Sequence, residues 1–406
     1  MSGYDFLKGV RVLEVAQLGP SSLGGYLADM GAEVVKVEDS NGDGVRYAGN
    51  PAIGSPNGES LLHLRWNRGK KSIRIDLKSE AGRALFLKLV AKADVVIEGM
   101  RAGILGRLGL GYDVLRATNR AIVFCSISGL GSYGPYAEMG SHGPSFDAFG
   151  ALSSINPYAL TKEERSKSNA TPVGMHAMGL YAAIGTLSAI IKARATGEGA
   201  SVEVAAADCA AHWLPDGVDA ELNGDICFDR PGFLGGRGKQ AWWPRLWRYE
   251  CGDGRGMFFQ AFSPKFWDRF CAAVDRPDLA AAYKADRDVN DIDEEVHDLL
   301  AELFLTRSFA EWMELFGAHD VPAGAANSRA TLATDPHFLA RGNVYDVELP
   351  GVGTLNLTST PIKVEGQSFA AAIAPRAGQD ADEILAEWLG VTQESASHLR
   401  AEGAVL

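Results

Sequence analysis

Few residues in this chain have types and spacings that suggest chemistry. Arg68, Lys70 and Lys71 place three cations within five positions, directly before an apolar run that opens at Ser72. Such a group suits the phosphates of a ligand, the arginine as a planar fork and the lysines as point charges. A solvated charge run is the other reading of the same residues. His176 stands near the start of the long apolar stretch Val173 to Ile191. Its side chain titrates close to neutral pH and can move protons, although a lone histidine at a helix start also serves as a hydrogen-bonded core residue. Trp242, Trp243 and Trp247 either line an apolar pocket or pack the core. The five cysteines (Cys125, Cys209, Cys227, Cys251 and Cys271) are odd in number and scattered, with no CxxC and no Cys/His spacing for a metal. They read as free thiols in a reducing compartment, so no metal is expected and the cytoplasm is the expected location.

The elements that must position these groups are those of an α/β protein. The chain has 406 residues, 46% hydrophobic and 22% charged, enough for roughly two domains at ~100–200 residues each. A formal net charge of −12 without a basic run excludes nucleic acid as the expected partner. Met1 to Gly9 lacks the basic and apolar regions of a signal peptide. Val173 to Ile191 approaches the length of a membrane span but contains His176, three glycines, Thr186 and Ser188, so a buried core helix is expected and no membrane contact. Strand-like runs at Val10–Val15, Ala32–Val37, Ser72–Leu77, Asp94–Glu98 and Ala121–Ser128 alternate with helical segments at Ser21–Met30 and Ser79–Ala93. This alternation predicts a parallel sheet covered on both faces, with ligands beyond the carboxyl ends of its strands. A hairpin over Arg248–Ala261, turning at Gly252-Asp253-Gly254, and helices from Phe266 to Phe316 predict a smaller α+β domain. The expected division is 1–215, 225–330 and a return to the large domain at 335–406, which holds a strand at Val344–Leu349 and an amphipathic helix near Ala381–Leu389.

Several segments together resemble the family III CoA-transferases, which include formyl-CoA transferase, carnitine CoA-transferase and the α-methylacyl-CoA racemases. They are Leu7-Lys8-Gly9-Val10-Arg11-Val12-Leu13-Glu14, Gly31-Ala32-Glu33-Val34-Val35-Lys36-Val37-Glu38, Asn67-Arg68-Gly69-Lys70-Lys71-Ser72-Ile73-Arg74-Ile75-Asp76-Leu77 and Leu108-Gly109-Leu110-Gly111-Tyr112. Ser126 to Gly131, Ala195 to Gly199, Phe266-Trp267 and Asp335-Pro336 follow in the family's order. The resemblance implies a Rossmann-like large domain joined to a small domain in a ring, interlocked with a second protomer. It implies coenzyme A or acyl-CoA as substrate, with no further cofactor. Gln17, Arg46, Arg68, Lys70, Lys71 and Arg101 are then the expected CoA contacts. The loop with Gly235, Gly236 and Gly238 resembles a lid that closes over the acyl intermediate, a plain surface loop being the alternative. The chain departs from the family at Gly99 and Ala102, where asparagine and proline are usual.

The larger departure concerns the nucleophile. Family transferases attack the thioester with an aspartate carboxylate and form a mixed anhydride reactive enough to exchange in both directions. In the matching stretch Val173-Gly174-Met175-His176-Ala177-Met178-Gly179, Met175 occupies the aspartate's place. A thioether forms no anhydride. The racemase histidine and aspartate match Phe146 and again Met175, so both proton carriers of that chemistry are absent as well. Asp147 matches a structural position, and Asp208 lies on an expected core helix.

Three functions are consistent with this pattern. In the first, the chain is the non-catalytic subunit of a heteromeric CoA-transferase whose paralogous partner supplies the aspartate, as in the succinyl-CoA:benzylsuccinate type that it resembles. In the second, it is a homodimeric acyl-CoA isomerase or lyase using His176. In the third, it binds CoA without catalysis.

Overall fold

Six short runs rich in valine and isoleucine pair side by side in one sheet: β1 Arg11–Ala16, β2 Glu33–Glu38, β3 Lys71–Arg74, β4 Val95–Gly99, β5 Val123–Ser128 and β6 Ser201–Ala205. The computed structural model describes residues 3–48, 51–55, 58–152, 172–213, 215–226, 244–282 and 294–406. All five pairings in the sheet are parallel, and the strand order is β3-β2-β1-β4-β5-β6. Most positions of β1, β2, β4 and β5 are buried, as a sheet covered on both faces requires. Alternate residues feed two separate cores. Leu13, Val15, Val35 and Val37 pack with Leu85 and Phe86 of the helix Glu80–Val90 and with Ile384 and Trp388 of the helix Ala381–Leu389. Val12, Val34, Val95 and Ile97 face Leu23 and Leu27 of the helix Ser21–Asp29 and Ala177, Met178 and Ala182 of the long helix Val173–Thr196. The α/β expectation is therefore met.

Two strands of this sheet depart most from the sequence reading. β3 ends at Arg74 instead of Leu77, because its partner β2 ends at Glu38, the residue paired with Arg74. β6, which the sequence reading lacked, extends the sheet beyond β5 and is largely exposed, as suits an edge. The helix Val173–Thr196 has the length and apolar composition of a membrane span. It nevertheless lies against β5, β6 and the helix Ser21–Asp29.

By internal contacts the chain forms two units, residues 1–215 with 342–406, and residues 216–341. In the second unit β7 Trp247–Glu250 and β8 Gly256–Phe259 form the expected hairpin, and β9 Ala323–Ala325 pairs with β8. Its core is aromatic: Phe259, Phe270, Phe304, Trp312 and Phe316 pack with ring centroids such as Phe259–Phe270 at 4.6 Å and Phe304–Trp312 at 5.0 Å. After residue 342 the chain adds the hairpin β10 Val344–Leu349 and β11 Gly353–Thr358 to the first unit. Asp380 Oδ2 then accepts from the Ser72 amide at 2.7 Å, tying the C-terminal helices to β3.

Candidate active site

The strand order reverses between β1 and β4, and a cavity opens there at the strands' carboxyl ends. It holds about 330 Å³ and is lined by the turns Gln17–Pro20, Gly99–Ala102 and Ser128–Gly131, with Met139–Gly143, Phe146, Met175 and Met178 closing its other side. The first turn is tightly made. Leu18 has φ 56°, a left-handed conformation unusual without glycine. Gly99 is forced by close packing: a Cβ there would lie 2.4 Å from Pro20 Cβ and 2.5 Å from Ala16 Cβ.

Met175 stands in the first turn of the helix Val173–Thr196, and Asp147 sets that turn. The two Asp147 carboxylate oxygens accept from Val173 N at 2.9 Å and Gly174 N at 2.7 Å, so the helix start is capped by a buried carboxylate. Met175 and Phe146 both line the cavity, so the two positions where the resemblance leads to proton or acyl carriers present apolar side chains to it. His176 is not among the lining residues. Its ring lies edge-on to Trp66, centroids 6.4 Å apart, and burial followed by the charge of Arg65 lowers its pKa, leaving it neutral at physiological pH. The cavity's own histidine is His142, which precedes the helix Gly143–Phe149. The sequence reading did not single it out; the Ser141-His142-Gly143-Pro144 stretch, with proline early in a helix, was the available signal.

A second cavity of about 460 Å³ shares Gln17 and Met100 with the first and extends past the ends of β2 and β3. Its wall carries Glu38, Asp39, Asp43, Asp76 and Lys78 with the apolar Ile104 and Leu108. Gln17 thus sits where both cavities meet, and Arg101 reaches the first. Arg101 and Lys78 are exposed and carry no ion pair among the described residues.

The other expected phosphate contacts are placed differently. Arg46 bonds Glu38 through Nε at 3.1 Å and Nη2 at 2.6 Å, and Glu59 through Nη1 at 2.8 Å. Arg68 makes a two-bond fork to Asp29 at 2.8 and 2.6 Å. Lys70 is buried against Glu14, and Lys71 is half-buried among Glu33, Glu383 and Glu387. None of these four cations lines either cavity. Burial opposes the charge on Arg46 and Arg68, but their carboxylate partners outweigh it and raise both pKa values. Burial pushes Lys70 down to about 8 despite Glu14. These positions differ from the expectation of a free cation group because a charge taken out of water needs a partner, and the fold supplies one to each. The lid glycines Gly235, Gly236 and Gly238, and Trp242 and Trp243, lie outside the described residues. Trp247 opens β7. Among the described residues no group of three or more His, Cys, Asp or Glu is arranged to hold a metal, and Cys125, Cys209, Cys251 and Cys271 are buried free thiols.

The family model for CoA-transferase family III matches residues 7–381. The chain is 31% identical over 401 residues to the succinyl-CoA–L-malate CoA-transferase alpha subunit of Chloroflexus aurantiacus, covering 97% of this chain and 91% of that one. It is 27% identical over 414 residues to the beta subunit of the same name in that organism, covering 98% of each. Among solved structures, a CAIB/BAIF family protein from Brucella suis superposes with a TM-score of 0.75 at 27% identity, over 94% of this chain and 99% of that one.

Proposed function

This chain belongs to CoA-transferase family III, and within that family we propose that it is the non-catalytic subunit of a heteromeric enzyme that moves CoA from a donor such as succinyl-CoA to a carboxylic acid. The observation that carries the proposal is Met175, which lines the cavity and occupies, by the family resemblance, the place of the attacking carboxylate. A thioether has no oxygen on which to build an acyl anhydride, and in this reading acyl transfer uses a carboxylate on a paralogous chain. Two similar relatives bear the names of alpha and beta subunits of one CoA-transferase, which supports a paired arrangement. The two chains would be ring-shaped protomers threaded through one another in the cytoplasm.

In this reading CoA lies across both cavities. Its thiol end enters the methionine-lined cavity beside Gln17, and its nucleotide end occupies the larger one. Its phosphates are assigned to Arg101 of the first cavity and Lys78 of the second, since Arg46, Arg68, Lys70 and Lys71 are committed to carboxylates of the fold. The turn amides and the Gln17 side chain orient the thioester. The apolar wall of Met175, Met178 and Phe146 excludes water from it. Acid/base catalysis by His176 receives less support, because its ring packs against Trp66 outside the cavity lining.

The test is expression of this chain alone and together with an aspartate-bearing paralogue, with CoA exchange from succinyl-CoA assayed over a panel of carboxylic acids. Exchange by the pair only, abolished by changing the partner's aspartate to asparagine, is the expected result. Exchange by this chain alone sinks the proposal. Tight CoA binding with no exchange in either preparation makes the chain a CoA-binding protein without catalysis.

A further inference from the structure

The turn between β1 and the helix Ser21–Asp29 carries Gln17, Leu18, Gly19 and Pro20 along the first cavity, with Ala16 and Gln17 also lining the second. Two buried ammonium groups hold it from beneath. Lys36 Nζ donates to Ala16 O at 2.7 Å, to Ser21 Oγ at 3.1 Å and to Glu14 Oε1 at 3.1 Å, and lies 2.9 Å from Asp43 Oδ2. Lys70 Nζ donates to Ser21 O at 2.8 Å, to Asn67 Oδ1 at 2.9 Å and to the Glu14 oxygens at 2.9 and 2.7 Å. The side chains of Glu14, Lys36 and Lys70 are 0% exposed. The helix approaches this cluster closely because residue 24 is glycine: a Cβ there would sit 1.9 Å from Glu14 Oε2.

A buried ion cluster is a poor source of stability, since apolar side chains of similar volume do as well or better. What this one does specifically is bind both ends of a turn, the Ala16 and Ser21 carbonyls, that keeps Leu18 in a left-handed conformation. Through Asp43, Lys36 is also tied to the wall of the second cavity. We propose that Glu14, Lys36 and Lys70 are positioning residues, which fix the Gln17–Pro20 turn in the shape that CoA requires and act on ligand affinity through that turn without touching the ligand. The inference rests on the CoA reading above. It also gives Lys70 a role other than the phosphate contact expected from sequence.

The experiment measures CoA binding by isothermal titration calorimetry, with melting temperature, for the full chain alone and in complex with the aspartate-bearing paralogue. The variants are Glu14→Gln/Lys70→Met, which removes both charges of one pair together, and Leu18→Ile, whose β-branch disfavours the left-handed conformation and so disturbs the turn at an exposed position, with the apolar bulk kept and the cluster intact. The expected result is CoA affinity reduced at least about tenfold in the folded double variant and severalfold in Leu18→Ile, with the melting temperature of Leu18→Ile near the parent's. Parental affinity in a folded double variant overturns the inference. Should the double variant not fold, Leu18→Ile decides: parental affinity there shows that the turn's shape is immaterial to CoA and overturns the inference equally. Failure of the unaltered protein to bind CoA in either preparation is distinct from both, and removes the CoA reading along with the inference that rests on it.

Discussion

At the level of single residues, Met175 and Phe146 were legible in the sequence because the motif around them fixes their position by simple counting. The fate of the cations was not. Lys70 finds its carboxylate on Glu14 and Arg68 finds Asp29, partners 56 and 39 positions away that no local pattern announces. A free and a neutralised cation look the same in a one-dimensional string. Met175→Asp tests the site directly: if the rest of the cavity is intact, this variant alone gains slow CoA exchange where the parent has none, while Met175→Ala gains nothing. The new carboxylate would face Met178 and Phe146, so burial should raise its pKa and confine exchange to the pH range in which it is ionised. Glu38 supplies a second test. Burial alone would raise its pKa, but Arg46, Ser72 and Lys36 hold it down to about 2 from 4.5. A carboxylate with a lowered folded pKa stabilises the fold fully above its unfolded pKa, and this is lost as pH falls from 4.5 toward 2. The amount is on the order of 3 kcal/mol. Glu38→Gln should lose stability of that order at neutral pH, and its urea midpoint should fall less steeply than the parent's across that acid window.

Secondary structure was legible where period and punctuation agree. β1, β2, β4 and β5 are apolar runs bounded by glycine or polar turns, and the helix Ala381–Leu389 lies where its amphipathic pattern placed it. β6 escaped because Ser-Val-Glu-Val-Ala is short and half exposed, its identity as a strand coming from pairing with β5. The start of the helix Val173–Thr196 depends on a residue outside it. No side chain of its own N-cap Pro172 closes the first turn, and Asp147 does so from another helix. Asp147→Ala therefore leaves two buried amides without their acceptor and should cost about 1–2 kcal/mol in chemical denaturation. Asp147→Asn, which keeps one acceptor oxygen, should cost less. Because the same turn carries Met175, the alanine variant should also lose CoA affinity. Unchanged affinity would mean that the cavity does not depend on where this helix begins.

For the whole molecule, the helix Val173–Thr196 presents an exposed apolar face. Leu180, Ile184 and Ile191 are 47%, 64% and 71% exposed. Their spacing of four and seven residues puts them on one side of the helix, opposite the side occupied by Ala182, Ala189 and Ala193 against the sheet. Exposed apolar side chains are ordinary singly, but a stripe along a long helix marks a surface that meets something else. A threaded partner chain would cover it, and this predicts that Ile184→Lys/Ile191→Lys acts on assembly more than on folding. Each replaced side chain is already mostly in solvent, so the change should shift the monomer's melting temperature by no more than a few degrees. Two ammonium groups buried without counter-charges in a dry interface would be far costlier, and the variant should no longer co-purify with the aspartate-bearing paralogue in size-exclusion chromatography with light scattering. An intact complex at parental stoichiometry would place the interface elsewhere and deprive the pairing of its main structural support. Loss of the complex together with loss of CoA exchange, in a chain that still melts like the parent, would tie the cavity's activity to the partner and make the subunit reading hard to avoid.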